Sequence, residues 1–251
     1  WISNGSQGTI TKVRASDTTI LGTYEAGDRS EYLVFDGQNI WVTNTGTVTK
    51  ISAIDGTNLG SFAVGVPSSI IFDGENIWTA SGSDNSITKI RASDGVNLGT
   101  FAMGGSPSGL VYDGENIWTR VESSLKKIKK SDGSILETFT LPYSIHPMAF
   151  DGQYIWGPDW NGIIAKIDLT DGSVVGEYPA GQYPDIAYFD GTDLWQASWD
   201  RNYLLRINIS DGSQLGVYTS FSGTRAMTSD GNDIWLIDQS GALTKIYISP
   251  T

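Results

Sequence analysis

Two of the nine tryptophans, Trp160 and Trp199, stand outside the spacing that the other seven obey. Each lies four residues after a regularly spaced indole, Trp156 or Trp195, and each is flanked by charge. Asp159 adjoins the first; Asp200, Arg201 and Tyr203 follow the second. An exposed indole stacks against the C–H face of a sugar ring, while carboxylates and guanidinium groups meet its hydroxyls. The same set suits a protein hot spot, and the two indoles could instead fold down and cap the body of the protein. Arg120, Tyr183 and Arg225 fall in loops expected at the same end and complete the candidate ligand-binding set. The single histidine, His146, precedes Pro147. Paired with Asp185 it could transfer a proton, as could Asp159 with Asp200; a loop hydrogen-bonding role is the first reading of His146. No Ser/His/Asp order, phosphate loop or metal-ligand cluster stands out, so neither a cofactor nor a metal is expected.

What must position these residues is a repeat. Phe35-Asp36-Gly37-Gln38-Asn39-Ile40-Trp41 returns as Phe72 to Trp78, Tyr112 to Trp118, Phe150 to Trp156, Phe189 to Trp195 and Ser229 to Trp235. Trp1-Ile2-Ser3-Asn4 reads as the tail of a further copy. Successive tryptophans lie 40, 37, 40, 38, 39 and 40 residues apart, and a fixed period of about 40 residues marks a repeat architecture. Within each copy a short apolar run predicts strand A, Asp-Gly a tight turn, and Ile-Trp the start of strand B. Thr-Lys-Ile segments such as Thr49-Lys50-Ile51 predict strand C. Leu-Gly-x-aromatic segments such as Leu59 to Phe62 predict strand D, with a second Asp-Gly turn between them, as at Asp55-Gly56. Nothing has helical period.

Four-stranded antiparallel units repeated at this interval predict an all-β fold, a β-propeller, with strand A, the most apolar, along its channel. The repeat runs through residues 1–251 and predicts one domain, a piece of a larger protein, because the chain opens inside a strand motif. Seven blades leave no strand redundant once a leading D and A strand are supplied; six blades with one surplus B–C hairpin also satisfy the arithmetic. In either closure the A–B and C–D turns share one face, and the variable B–C and D–A loops share the other. That second face carries every candidate residue.

Net charge is −12, with 28 acidic against 16 basic residues. Duplex binding needs clustered cations, so a nucleic-acid partner is not expected. The densest basic run, Lys126-Lys127-Ile128-Lys129-Lys130, reads as a lysine-guarded strand edge. The absence of cysteine removes disulfides and thiolate metal sites. No 18-residue apolar span exists, so no membrane-spanning helix is expected.

Trp41-Val42-Thr43-Asn44 resembles the Tyr-Val-Thr-Asn signature of the YVTN family of bacterial and archaeal propeller repeats, with Trp in place of Tyr. The repeat also resembles blades of virginiamycin B lyase-like and NHL propellers, and the resemblance covers the whole chain. It implies a propeller in an extracytoplasmic setting (secreted, periplasmic or cell surface), with other domains of a longer chain as possible partners. In the lyase family a His with acidic partners and a Mg ion carries the chemistry; here only His146 is available and no second catalytic His can be matched. The first reading is therefore a non-enzymatic binding module for a glycan or protein. A lyase or hydrolase at the channel mouth and a structural surface-layer spacer without a ligand are the alternatives.

Overall fold

Each Asp-Gly step of the repeat reverses the chain in the computed structural model, which describes residues 1–145, 147–181, 183–198, 202–219 and 223–248, omitting the side chain of Asp185. The reversals separate 26 strands, and the one helix among the described residues is a single 3-10 turn at Gly5–Gln7. Seven sheets form in chain order, five of four strands and two of three. The first contains β1 (Ile2–Asn4), β2 (Thr9–Val13) and β3 (Ile20–Glu25), and the second β4 (Leu33–Phe35), β5 (Asn39–Asn44), β6 (Thr47–Ser52) and β7 (Asn58–Ala63). The third holds β8 (Ser69–Phe72), β9 (Asn76–Ser81), β10 (Ser86–Arg91) and β11 (Asn97–Ala102). In the fourth are β12 (Pro107–Tyr112), β13 (Asn116–Val121), β14 (Ser124–Lys129) and β15 (Ile135–Thr140). The fifth comprises β16 (Ala149–Phe150), β17 (Tyr154–Pro158), β18 (Ile163–Asp168) and β19 (Val174–Pro179). The sixth comprises β20 (Pro184–Phe189), β21 (Asp193–Ser198), β22 (Leu204–Asn208) and β23 (Gln214–Tyr218). The seventh ends the series with β24 (Thr224–Ser229), β25 (Asp233–Asp238) and β26 (Leu243–Tyr247). Spatial order follows chain order, A-B-C-D, as the hairpin reading required.

The chain divides into two compact units: Trp1–Glu122 with Lys126–Thr138, and Ser123–Leu125 with Phe139–Thr251. In the first, Trp1 and Ile10 of one sheet share a cluster with Ile40 and Ile51 of the next, Trp41 and Val48 with Ile77 and Ile90, and Trp78 and Ile87 with Ile117 and Ile128. In the second, Trp156 and Ile164 pack with Leu194 and Ile207, and Trp195 and Leu204 with Ile234 and Ile246. Each core is thus a seam between successive sheets, and the strand-B indole is its largest member. Strand B is more buried than strand A, although strand A reads as the more apolar in sequence: β9 and β21 are buried at every residue, whereas β8 is only half-buried. Strand A has a neighbour on one side only within its sheet, and that edge position limits its burial.

Both Asp-Gly series do more than turn the chain. At the A–B turns the aspartate is a three-way acceptor. Asp73 Oδ1 takes the backbone N–H groups of Glu75 and Asn76, and Oδ2 takes the indole N–H of Trp78 at 2.7 Å. Asp36, Asp113, Asp151, Asp190 and Asp230 hold Trp41, Trp118, Trp156, Trp195 and Trp235 in the same way at 2.7–2.8 Å. An indole N–H must find a partner when the ring is buried, and the turn five residues upstream supplies it.

The C–D glycines meet a different demand. Gly56, Gly95 and Gly133 have φ of 73–77°, and a Cβ on any of them would overlap the ring of Tyr24, Phe62 or Phe101 from strand D of the preceding sheet. Within the second unit, Gly172 and Gly212 stand in the same relation to Phe139 and Tyr178. The strand-C lysines complete the seam. Lys50 lies 5.2 Å from the centre of Trp41 and donates to the carbonyl oxygens of Ala92 and Ser93 in the next sheet; Lys12, Lys89 and Lys166 repeat the arrangement on Trp1, Trp78 and Trp156.

The lysine run 126–130 departs from expectation. It lies on β14 and the following turn, and β14 is an inner strand between β13 and β15, not an edge. Each cation has a post: Lys126 on the carbonyl of Met103, Lys127 over Trp118 and against Glu137, Lys129 on Asp132, Lys130 on the carbonyl of Asp73 and the hydroxyl of Tyr112. The run is dense because seam and turn positions coincide there.

Candidate functional site

Antiparallel order puts the B–C and D–A loops of each sheet at one end, away from the Asp-Gly turns. In the fifth sheet that end is built around Asp159. Its carboxylate is buried and accepts the N–H groups of Asn161 and Ile163 and the side-chain amide of Asn161. A β-bridge joins Asp159 to Ile145 in the D–A connection, and Gly162 accepts from the N–H of Ala180 at 2.9 Å. Three segments are therefore tied together, and the residue left pointing outward is Trp160, at 55 % exposure. The seventh sheet builds the same turn with Asp238, whose carboxylate accepts from Ser240 and Ala242, but sets Gln239 in the place of the tryptophan.

Around this turn the acids and phenols are arranged by function in the loop. The Tyr143 hydroxyl donates to Glu177 Oε1 at 3.0 Å. Burial raises its pKa, and the charges of Glu177 and Asp159 push it further in the same direction, so it remains a neutral donor. The Tyr203 hydroxyl donates to the carbonyl of Ala180 at 3.2 Å and lies over Gly181. Tyr183 is 44 % exposed in the D–A connection, with φ at 52°.

The candidate residues therefore sort by role. Trp160, Tyr183 and Arg225 are exposed, the last at a register shift between Thr224 and Ala226 of β24 that turns its side chain out of the regular alternation. Asp159 and Tyr203 build the loops that carry Trp160. Arg120 belongs to the first unit, where it is half-buried with Nε on the Ser108 hydroxyl and Nη1 on the Glu122 carbonyl; burial lowers its pKa. Trp199, Asp200, Arg201 and His146 lie outside the described residues, as does the side chain of Asp185. Among the described residues no group of three or more His, Cys, Asp or Glu side chains could hold a metal ion.

Sequence reasoning passed over one signal. Among the described residues, five non-glycine residues adopt positive φ: Thr18, Arg29, Asn85, Glu122 and Tyr183. Thr18 occupies a C–D turn; the other four are all in B–C or D–A loops. Such backbone costs roughly 1–3 kcal/mol per bulky residue and persists only where surroundings enforce it. Nothing in the residue types of Arg29, Glu122 or Tyr183 announces it.

No protein-family model and no curated protein sequence matches the chain. Solved structures do. A structure of Kuenenia stuttgartiensis hydrazine synthase matches with a TM-score of 0.86 at 16 % identity, over 98 % of this chain and 91 % of that one. The WD40 β-propeller domain of Doa1 matches at 0.82 and 13 % identity, over 98 % and 88 % of the two chains. The computationally designed Ika8 protein matches at 0.77 and 13 % identity, over 97 % and 79 %. At such identities the likeness speaks to the fold alone. Together with the seven sheets it makes this chain a seven-bladed β-propeller.

Proposed function

We propose that this propeller is a non-enzymatic binding module that takes a glycan or protein ligand at the B–C and D–A loops, with Trp160 as its anchor. The presentation of Trp160 carries the reading. A large apolar ring is held in water by a turn whose own polar groups are satisfied by buried Asp159. Stability has no use for that exposure, whereas stacking recognition requires it. Tyr183, 44 % exposed and at positive φ, supplies a second ring in the same unit. The resemblance of its repeat to the YVTN family supports a setting outside the cytoplasm for such a module.

The test is titration of the intact chain with a glycan library and with candidate cell-surface proteins, read by tryptophan emission. Trp160→Ala should lower affinity at least about tenfold, the weight of one aromatic anchor. It should leave the urea midpoint unchanged, because the turn is held by Asp159. Wild-type affinity in that variant would sink the reading.

A further inference from the structure

Every indole of the repeat carries a cation on its face. Lys12, Lys50, Lys89, Lys127, Lys166, Arg206 and Lys245 stand 5.0–5.5 Å from the ring centres of Trp1, Trp41, Trp78, Trp118, Trp156, Trp195 and Trp235. Indole is the best aromatic face for a cation, because its ring quadrupole is negative there. Trp160 departs from this rule. It is 55 % exposed, and no described cation stands over it.

The loop that presents it has also spent its donors. The Asn161 amide goes to Asp159 Oδ2, the Tyr143 hydroxyl to Glu177 Oε1 and the Tyr203 hydroxyl to the carbonyl of Ala180. The exposed side chains of Asn161 and Glu177 keep acceptor oxygens. Charge acts in the same direction. In the second unit acidic residues outnumber basic ones. Lys166, Arg206 and Lys245 are engaged there by the carbonyl of Ile209, by Asp193 and by Asp233, and the exposed Arg225 belongs to the seventh sheet. An anionic ligand meets repulsion in such a field and a cationic one attraction.

Resting on the reading of Trp160 as an anchor, we propose that its ligand is a protein, and that the loop takes a lysine or arginine side chain from an exposed basic segment. The cation would stand on the Trp160 face as Lys50 stands on Trp41, with Asn161 as acceptor and Glu177 adding charge. Lysine and arginine side chains donate and do not accept, which suits a loop that has kept its acceptors and spent its donors; a sugar hydroxyl must do both.

The probes, added to the intact 251-residue protein, are the peptide acetyl-Ala-Lys-Ala-Lys-Ala-amide, the same peptide with both lysines acetylated, a glucosamine oligomer and the neutral glycan cellohexaose. Tryptophan emission should change saturably with the lysine peptide. Acetylation removes the charge and should weaken binding at least about tenfold. Trp160→Leu, apolar but without a π face, should bind the lysine peptide at least about threefold more weakly, with Trp160→Phe between it and wild type. Glu177→Gln should weaken binding and flatten its dependence on salt. Urea midpoints equal to wild type show that each variant is folded. The inference is overturned by no saturation at millimolar lysine peptide, by equal binding of the acetylated peptide, by wild-type binding in Trp160→Leu, or by either glycan binding where the lysine peptide does not. Cellohexaose binding that Trp160→Ala abolishes would sink this inference and leave the binding-module reading standing. Lysine-peptide binding that no Trp160 variant alters would sink both.

Discussion

A single carboxylate does three jobs in this repeat, and its replacement should show all three. Asp73 is almost wholly buried and has both oxygens committed to Glu75, Asn76 and Trp78. Asp73→Ala takes the acceptor from the backbone N–H groups of Glu75 and Asn76, the Asn76 side-chain amide and the Trp78 indole N–H, the last inside a core. Loss of a partner to a buried donor costs about 1–3 kcal/mol, so a urea midpoint shift worth about 2–4 kcal/mol is expected, with altered emission from Trp78. Asp73→Asn keeps acceptor oxygen but introduces an amide N–H facing other donors, and it should fall between Ala and wild type. A shift below about 0.5 kcal/mol for Asp73→Ala would show that water replaces the carboxylate without loss. The Asp-Gly turn was legible in the letters; the Asp-to-Trp bond was not, although the constant five-residue interval between the two was a signal open to reading. Trp160 was legible for a simple reason: it breaks the period.

At the scale of the element, two glycines that look alike in sequence differ in what they tolerate. Gly74 and Gly95 both have positive φ, at 92° and 77°. A Cβ on Gly74 meets nothing within 4 Å, but on Gly95 it would enter the ring of Phe62. Gly74→Ala should cost only the backbone term, about 1–2 kcal/mol. Gly95→Ala adds overpacking and should cost roughly 1–3 kcal/mol more. Combining Gly95→Ala with Phe62→Leu should recover part of the loss, a coupling of about 1 kcal/mol in a double-mutant cycle, whereas Phe62→Leu should leave the Gly74→Ala loss untouched. Additivity in both cycles would contradict the seam described here. Such seams lay beyond sequence reading because they join residues one repeat apart: the glycine is chosen by a ring on the neighbouring sheet. Strand order, by contrast, is set by turn chemistry within one copy, and it was readable throughout. The lysine run was misplaced in part for the same reason as the seams were missed: Lys126 and Lys130 have their partners, Met103, Asp73 and Tyr112, far away in the chain.

Over the whole molecule, acid should be the sensitive variable. Asp17 is held at about 2, against an ordinary 3.8, by hydrogen bonds from Thr19 and by Arg14; Asp132 is held at about 2 by Ser134 and Lys129. Asp36 is lowered as well: its burial works the other way and is outweighed by donors from Trp41, Asn39 and Gln38. The Trp235 indole does most to lower Asp230. A carboxyl whose pKa is lower folded than unfolded adds stability above its unfolded value and loses it as pH falls through the folded one. The unfolding free energy should therefore hold nearly level from about pH 7 to 5 and drop from about pH 4 toward 2. Urea midpoints measured across that range check it; a level profile down to pH 2.5 would mean that these bonds persist in the unfolded chain. The fold class was legible because a period of about 39 residues is written in the indoles; the count of seven was not, since six blades satisfied the same arithmetic until the seven sheets decided it. The candidate end could be read only as the place where copies differ, and two of the candidate rings, Trp160 and Tyr183, are exposed there.

The eleven Asp-Gly steps carry one more consequence, a chemical one. Such steps age by cyclisation: the glycine nitrogen attacks the aspartyl carboxyl, water leaves, and the succinimide reopens largely to isoaspartate. In the A–B series the carboxyl is immobilised by its donors, as at Asp73 and Asp190. In the C–D series the attacking nitrogen is engaged instead, as when Gly95 donates to the carbonyl of Arg91 and Gly212 to that of Asn208. Folding thus guards each site by disabling one reactant or the other, and isoaspartate accumulating in a stored sample would serve as a clock for the time its chains have spent unfolded.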